Sequence, residues 1–143
     1  MAEIVIVGVD GSDTALKAAS RAAAIADGLQ AELVVVCAYA KEVTEVVRIG
    51  NDMWILDDSD QAEKMAEQVA ATLRAEHPGL SIRPLGVRGK PQDALVEEAA
   101  RSGAGLLVVG NVGMQGLGRL LGSVASGVVH NAPCDVLVVK TAE

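Results

Sequence analysis

Aromatic residues are almost missing from this chain, which carries one Trp, one Tyr and no Phe in 143 residues. A core without rings has to be filled by Val, Leu, Ile and Ala. Such small and β-branched filling suits buried parallel strands with helices lying close on them. Cysteine is equally sparse. Cys37 and Cys134 are too few for a disulfide framework and show no metal-ligand spacing. Both sit in apolar runs, "VVVCAYA" and "PCDVLVV", where buried, reduced thiols are expected. Positive charge is also short. A net charge of −7 argues against nucleic acid and membrane as partners, because non-specific binding to either needs a basic surface. A small anion held by backbone N–H groups makes no such demand. No run approaches the roughly 18 apolar residues of a membrane span. The opening "MAEIVIVGVDGS" has neither a basic region nor an apolar run long enough for a signal peptide. A cytoplasmic location is expected. Missing too are a nucleophile elbow, an H-E-x-x-H pair, a Ser–His–Asp set and a Walker lysine. A binding protein is expected rather than an efficient enzyme.

What is present fits one domain over residues 1–143. "EIVIVGV" (3–9) reads as a short buried strand. Ser12 is a natural N-cap for the helix that follows, with Leu16, Ala19, Ala22, Ala23 and Ile25 at helical spacing and Gly28 where it would stop. "AELVVVCAY" (31–39) is a second strand. Residues 40–58 have irregular apolar spacing and read as a long, partly helical connection. Asp60 and Glu63 make a capping-box-like start to the next helix, whose face is Met65, Ala66, Val69 and Leu73. "LSIRPLGV" (80–87) is a strand with Pro84 inside it, and because proline cannot donate to a ladder it belongs at a sheet edge. A helix with Pro91 in its first turn and Gly103 after its end, a fourth strand at 104–110, a helix at 123–132 and a strand at 134–140 complete the chain. Strict alternation implies an α/β fold with a parallel sheet covered on both faces. With the Pro84 strand at an edge, the order 3-2-1-4-5 follows. Ligands in such sheets bind where the order reverses, beyond the carboxyl ends of the first and fourth strands.

One of the two loops that meet there is "GNVGMQGLGRLLGS", with five glycines in thirteen residues from Gly110 to Gly122. It ends where a helix begins. The first N–H groups of a helix have no internal partner, and the dipole there favours negative charge. Gly122 leaves the approach open, Ser123 adds a hydroxyl and a backbone donor, and Gly110 and Gly113 let the chain turn back over the strand end. Together they suit a phosphate cradle of main-chain donors. The spacing fits neither a Walker A loop nor the Rossmann fingerprint. The other loop carries Asp10, a carboxylate beside the first helix's N-terminus. It can cap that helix, although Ser12 competes for the role. Otherwise it can face ribose hydroxyls, or reach a phosphate through Mg²⁺.

"VGVDGS", "GKPQDALVEEA" and "LLVVGNVGMQGLGRLLGSVASGVVHNAPCDVLVV" together resemble the universal stress protein family over nearly the whole chain, least clearly across residues 40–60. The family's ATP-binding members share G-x2-G-x9-G-[ST]. Gly110, Gly113, Gly122 and Ser123 match it, except that eight residues separate Gly113 from Gly122. The resemblance implies an adenine nucleotide at the switch point. Gly8, Val9 and Asp10 would then lie at the corner near ribose, phosphates or a bound metal, and Ala38 would read the adenine edge through its backbone. Val109, Gly110, Val112 and Gly113 would run along the nucleotide, and Gly122, Ser123, Val124 and Ala125 would meet the phosphates. ATP with Mg²⁺ is the first expectation. The shorter loop makes AMP or cyclic AMP a competitor, and hydrolysis would be slow at most. A small stress-response or signalling module follows from the same likeness.

Two alternatives stand beside this reading. One is a nucleotide-free interaction scaffold. The other is a flavodoxin-like electron carrier, against which the lack of aromatics counts. The remaining side chains are assigned bland roles first: Arg119 a solvated surface cation, with reach to a phosphate as its alternative, His77 and His130 too far apart to share a metal, and Trp54 packed over the sheet edge, with cover over adenine as the lesser alternative. The cysteines fall three strand spacings apart, on the order of 14 Å, too far for a disulfide. The apolar last strand lies at an edge and would be an aggregation hazard if bare. Pairing with the same strand of a second copy gives a two-fold homodimer, which the resemblance also implies.

Overall fold

The computed structural model describes residues 3–39, 44–49, 52–111 and 122–141, with backbone alone for 44–49 and 52–58. The element order is β1 (Ile4–Val9), α1 (Asp13–Leu29), β2 (Glu32–Tyr39), β3 (Thr44–Ile49), β4 (Asp52–Asp57), α2 (Asp58–Glu76), β5 (Ile82–Arg88), α3 (Pro91–Ser102), β6 (Leu106–Gly110), α4 (Ser123–Asn131) and β7 (Asp135–Val139). Five strands form one sheet in the order β5-β2-β1-β6-β7, and every pairing in it is parallel. This is the α/β order expected from sequence. β5, with Pro84 in register with Val35, stands at one edge and β7 at the other. The order reverses between β1 and β6.

Alternation along β1 sorts the core into two layers. Val5, Val7 and Val9 face α1 and α2, together with Leu33, Val35, Leu73 and Val108. Ile6 faces the other way, with Val34, Leu95, Leu107 and Val128. The want of aromatics is answered by α1, whose Ala18, Ala19, Ala22, Ala23 and Ala26 are all fully buried. A helix that meets a Val-rich sheet through methyl groups can approach it closely, and there is then no space for anything larger. Ala22→Leu keeps helix propensity almost unchanged and is expected to lower stability by about 1–3 kcal/mol through overpacking. A reduced urea midpoint at unchanged m-value would register this.

Three local expectations are corrected. Thr44–Ile49 and Asp52–Asp57 pair as antiparallel strands, with Thr44 opposite Asp57 and Ile49 opposite Asp52, where a partly helical connection was expected. Its strands are rich in Val, Ile, Thr and Trp, and the intervening Gly50-Asn51 is a hairpin-turn dipeptide. Pairing between the two strands outweighs the irregular pattern of each alone. Helix α1 runs past Gly28 to Leu29 and stops at Gln30, which takes the left-handed conformation (φ 55°) with its N–H shared between the carbonyls of Ala26 and Asp27. Helix α2 begins at Asp58, two residues before the capping box expected at Asp60. Ser12 as the N-cap of α1 and Gly103 as the left-handed cap of α3 (φ 71°) agree with expectation.

Candidate functional site

Beyond the carboxyl ends of β1, β2 and β6 the molecule opens into a cleft of about 760 Å³, including space continuous with solvent. The cleft sits at the reversal of strand order.

The β1 corner is built first. Gly8 lies close under Leu95, and a Cβ there would stand 2.8 Å from Leu95 Cδ1 and oblige that side chain to shift. Gly11 turns the chain at φ +86°, a conformation that side chains other than glycine rarely adopt. The turn folds Asp10 back onto Ser12. Asp10 Oδ1 accepts from Ser12 N–H at 2.9 Å and from Ser12 Oγ–H at 2.5 Å. Ser12 Oγ accepts in turn from Ala15 N–H at 3.1 Å and lies 3.1 Å from Thr14 Oγ1. The capping of α1 is therefore done by Ser12, and Asp10 orients the cap. The other Asp10 oxygen takes no hydrogen bond among the described residues and belongs to a side chain that lines the cleft.

The opposite rim is α4. Its N-cap is Gly122, which offers no side-chain hydrogen bond, and its first turn has no acidic residue. The N–H groups of Ser123, Val124 and Ala125 thus have no partner within the helix. Pro91 and Leu95 close one side, so the start of α3 also looks into the cleft. Apart from Asp10, the described lining residues carry no charged side chain. Among the described residues, what the site offers an anion is the main-chain N–H groups at the start of α4 and neutral hydroxyls such as those of Thr14 and Ser123.

Of the site residues expected from sequence, Gly8, Val9, Asp10, Ala38, Val109, Gly110, Gly122, Ser123, Val124 and Ala125 all line this one cleft. Val112, Gly113, Arg119 and the side chain of Trp54 lie outside the described residues. Sequence reasoning missed Ser12, Thr14, Ala15, Val36, Pro91 and Leu95 as lining residues. Val36 was within reach, because it shares a strand face with Ala38 two residues on. The contributions of α3 depend on how closely it packs beside α4, which has no signature in sequence.

The other chemistry-bearing residues lie elsewhere. His77 pairs with Asp27 at 3.0 Å near the far end of α1. His130 Nδ1 lies 2.8 Å from the Ser126 carbonyl. Both cysteines are free thiols. Cys37 is buried as expected, whereas Cys134 is only partly covered because it precedes the edge strand. Burial, and secondarily the Asp10 carboxylate, raise the Cys37 thiol above its usual pKa. Among the described residues no group of three or more His, Cys, Asp or Glu is placed to hold a metal ion. No described helix is long and apolar enough to cross a membrane.

Comparison with known proteins gives the family. The universal stress protein family model matches residues 1–140. The universal stress protein Rv1636 of Mycobacterium tuberculosis is 37% identical, over 96% of this chain and 95% of its own. Universal stress protein MJ0531 of Methanocaldococcus jannaschii is also 37% identical, over 95% of this chain and 81% of its own. A universal stress protein solved in complex with cAMP superposes with a TM-score of 0.74 at 36% identity, covering 99% of this chain and 98% of that one. The chain belongs to the universal stress protein family.

Proposed function

We propose that this protein binds an adenosine phosphate at the β1/β6 switch point, with the anion on the N-terminus of α4 and the nucleoside between Ala38, Val36 and Leu95. The observation that carries the reading is the uncapped start of α4, which opens into a cleft whose only charged described lining side chain is Asp10. An anion held by main-chain donors suits a protein of net charge −7. The cAMP complex of the 36% identical relative supports adenosine as the nucleoside. It also moves cyclic AMP ahead of the ATP–Mg²⁺ expectation, in line with a glycine loop one residue shorter than the ATP-binding pattern. The role that goes with it is that of a small stress-response or signalling module in the cytoplasm, a binder with hydrolysis incidental. Calorimetry with ATP, AMP and cyclic AMP, each with and without Mg²⁺, tests the reading. It is abandoned if none binds, and the nucleotide-free scaffold then takes its place.

Asp10 has a defined part in this scheme. With one oxygen held by Ser12, its second oxygen is positioned to accept from a ribose hydroxyl. Asp10→Asn retains the bond to Ser12 but replaces a charged acceptor by an amide. Cyclic AMP affinity is expected to fall about tenfold, the worth of a modest charged hydrogen bond, equally with and without Mg²⁺. A loss seen only when Mg²⁺ is present would assign the carboxylate to the metal instead.

The same chain is proposed to form a homodimer through β7. That strand ends the sheet and is apolar from Val136 to Val139, so its free edge suits a second copy of itself.

A further inference from the structure

We infer that Asn111 is a positioning residue that fixes the start of α4 against the sheet, and that Thr141 is the anchor that holds Asn111. The inference rests on the adenosine-phosphate reading and adds residues that do not line the cleft. Asn111 is the residue at which the chain leaves β6. Its N–H donates to the Val139 carbonyl at 2.8 Å and its own carbonyl accepts from Gly122 N–H at 2.9 Å. The end of β6 is thereby joined directly to the N-cap of α4. Its side chain does a separate job. Oδ1 accepts from Thr141 N–H at 2.9 Å and from Thr141 Oγ1–H at 3.1 Å, which uses both lone pairs of an amide oxygen.

Thr141 is itself firmly held. It is 4% exposed, its carbonyl lies 3.4 Å from Lys17 Nζ, and its Cγ2 sits 3.4 Å from where a Cβ on Gly110 would stand. A chain of contacts therefore runs from α1 and the segment after β7, through one Asn side chain, to the amide at the threshold of α4. Helix N–H groups attract an anion only in the direction in which they point. The bond from Gly122 to Asn111 sets that direction relative to the β1 corner, and the two bonds to Thr141 keep the Asn111 carbonyl from swinging. Asn in place of Ser or Thr matters here, because an amide oxygen accepts twice without having to donate.

Asn111→Ala, Thr141→Val and the double variant test this with two readouts: cyclic AMP affinity by calorimetry, and hydrogen exchange of the Gly122 amide in the ligand-free protein. Asn111→Ala is expected to weaken cyclic AMP about tenfold and Thr141→Val about threefold, the scale of one or two side-chain hydrogen bonds. Exchange at Gly122 should rise by similar factors. The double variant should bind within about twofold of Asn111→Ala, because the two residues act through one contact, and Thr141→Ser should restore wild-type behaviour. A residue that merely stabilises the fold would lower Tm and leave both readouts alone. With a wild type that binds, no change in either readout overturns the assignment. If the wild type binds none of the three nucleotides, the ligand reading has failed and Gly122 exchange alone decides the matter, unchanged exchange overturning it. Should Asn111→Ala not fold, Thr141→Val carries the same judgement.

Discussion

Gly122→Val is expected to abolish binding of adenosine phosphates, reducing affinity by at least about a hundredfold, or about 2.7 kcal/mol, while the protein keeps its fold. The two halves of this expectation come from the same residue. Gly122 sits at φ −61° and ψ 159°, extended backbone that valine adopts without strain, so the substitution does not bend the chain. It also removes no cap, because α4 has none from a side chain. Yet the N-cap position is where Ser, Thr, Asn or Asp ordinarily contributes about 0.5–2 kcal/mol by bonding the first-turn amides. This helix forgoes that contribution and leaves those amides facing the cleft. Gly122 lines the cleft, so on the proposed reading two valine methyl groups there would crowd the anion's approach. Losing one or two charge-assisted bonds, each worth about 1.5–3 kcal/mol, accounts for the size of the effect. The measurement is calorimetry beside far-UV circular dichroism and thermal unfolding. A folded variant that binds as the wild type does would show that main-chain amides at α4 are not the grip.

The same helix start shows what could be read from sequence and what could not. Glycines between an apolar run and a helix, at a reversal of strand order, were enough to locate the cleft, because strand order follows from alternation, handedness and one proline. Pro84 did much of this: it fixed β5 at an edge, and the rest of the order followed. Asp10 was legible as a cleft residue but not in its local role, since the choice between Asp10 and Ser12 as cap depends on the turn at Gly11. Sequence shows that a glycine is there, whereas φ +86° is a property of the folded turn. Pro91 and Leu95 escaped because they reach the cleft through helix packing. The pair of strands at 44–49 and 52–57 escaped for the opposite reason. Its signal was local, in Gly50-Asn51 flanked by β-formers, but each strand read alone had no clear period. Asn111 and Thr141 are thirty residues apart, and nothing in either neighbourhood announces the other.

Val138→Pro is expected to convert the proposed homodimer to a monomer, raising its dissociation constant by at least about a hundredfold, without unfolding the protomer. The argument turns on which way each β7 residue faces. The Val139 carbonyl accepts from Asn111 N–H, so Val139 directs its polar groups toward β6. Backbone groups alternate sides along a strand, which leaves those of Val136 and Val138 at the open edge of the sheet. Proline at 138 therefore removes an edge donor and no bond to β6. It also leaves Leu137 extended, as a residue before proline prefers to be. An edge strand tolerates such a proline, as β5 does with Pro84. Leu137→Pro is the internal control. It has the same chemistry one residue away, but its N–H faces β6, and it is expected to destabilise the protomer itself. Sedimentation at micromolar concentration separates the cases. A wild type that runs as a monomer, or a Val138→Pro variant that still dimerises, removes β7 as the interface. Dimer loss at 138 with protomer destabilisation at 137 is the pattern that only a strand paired on both sides can give.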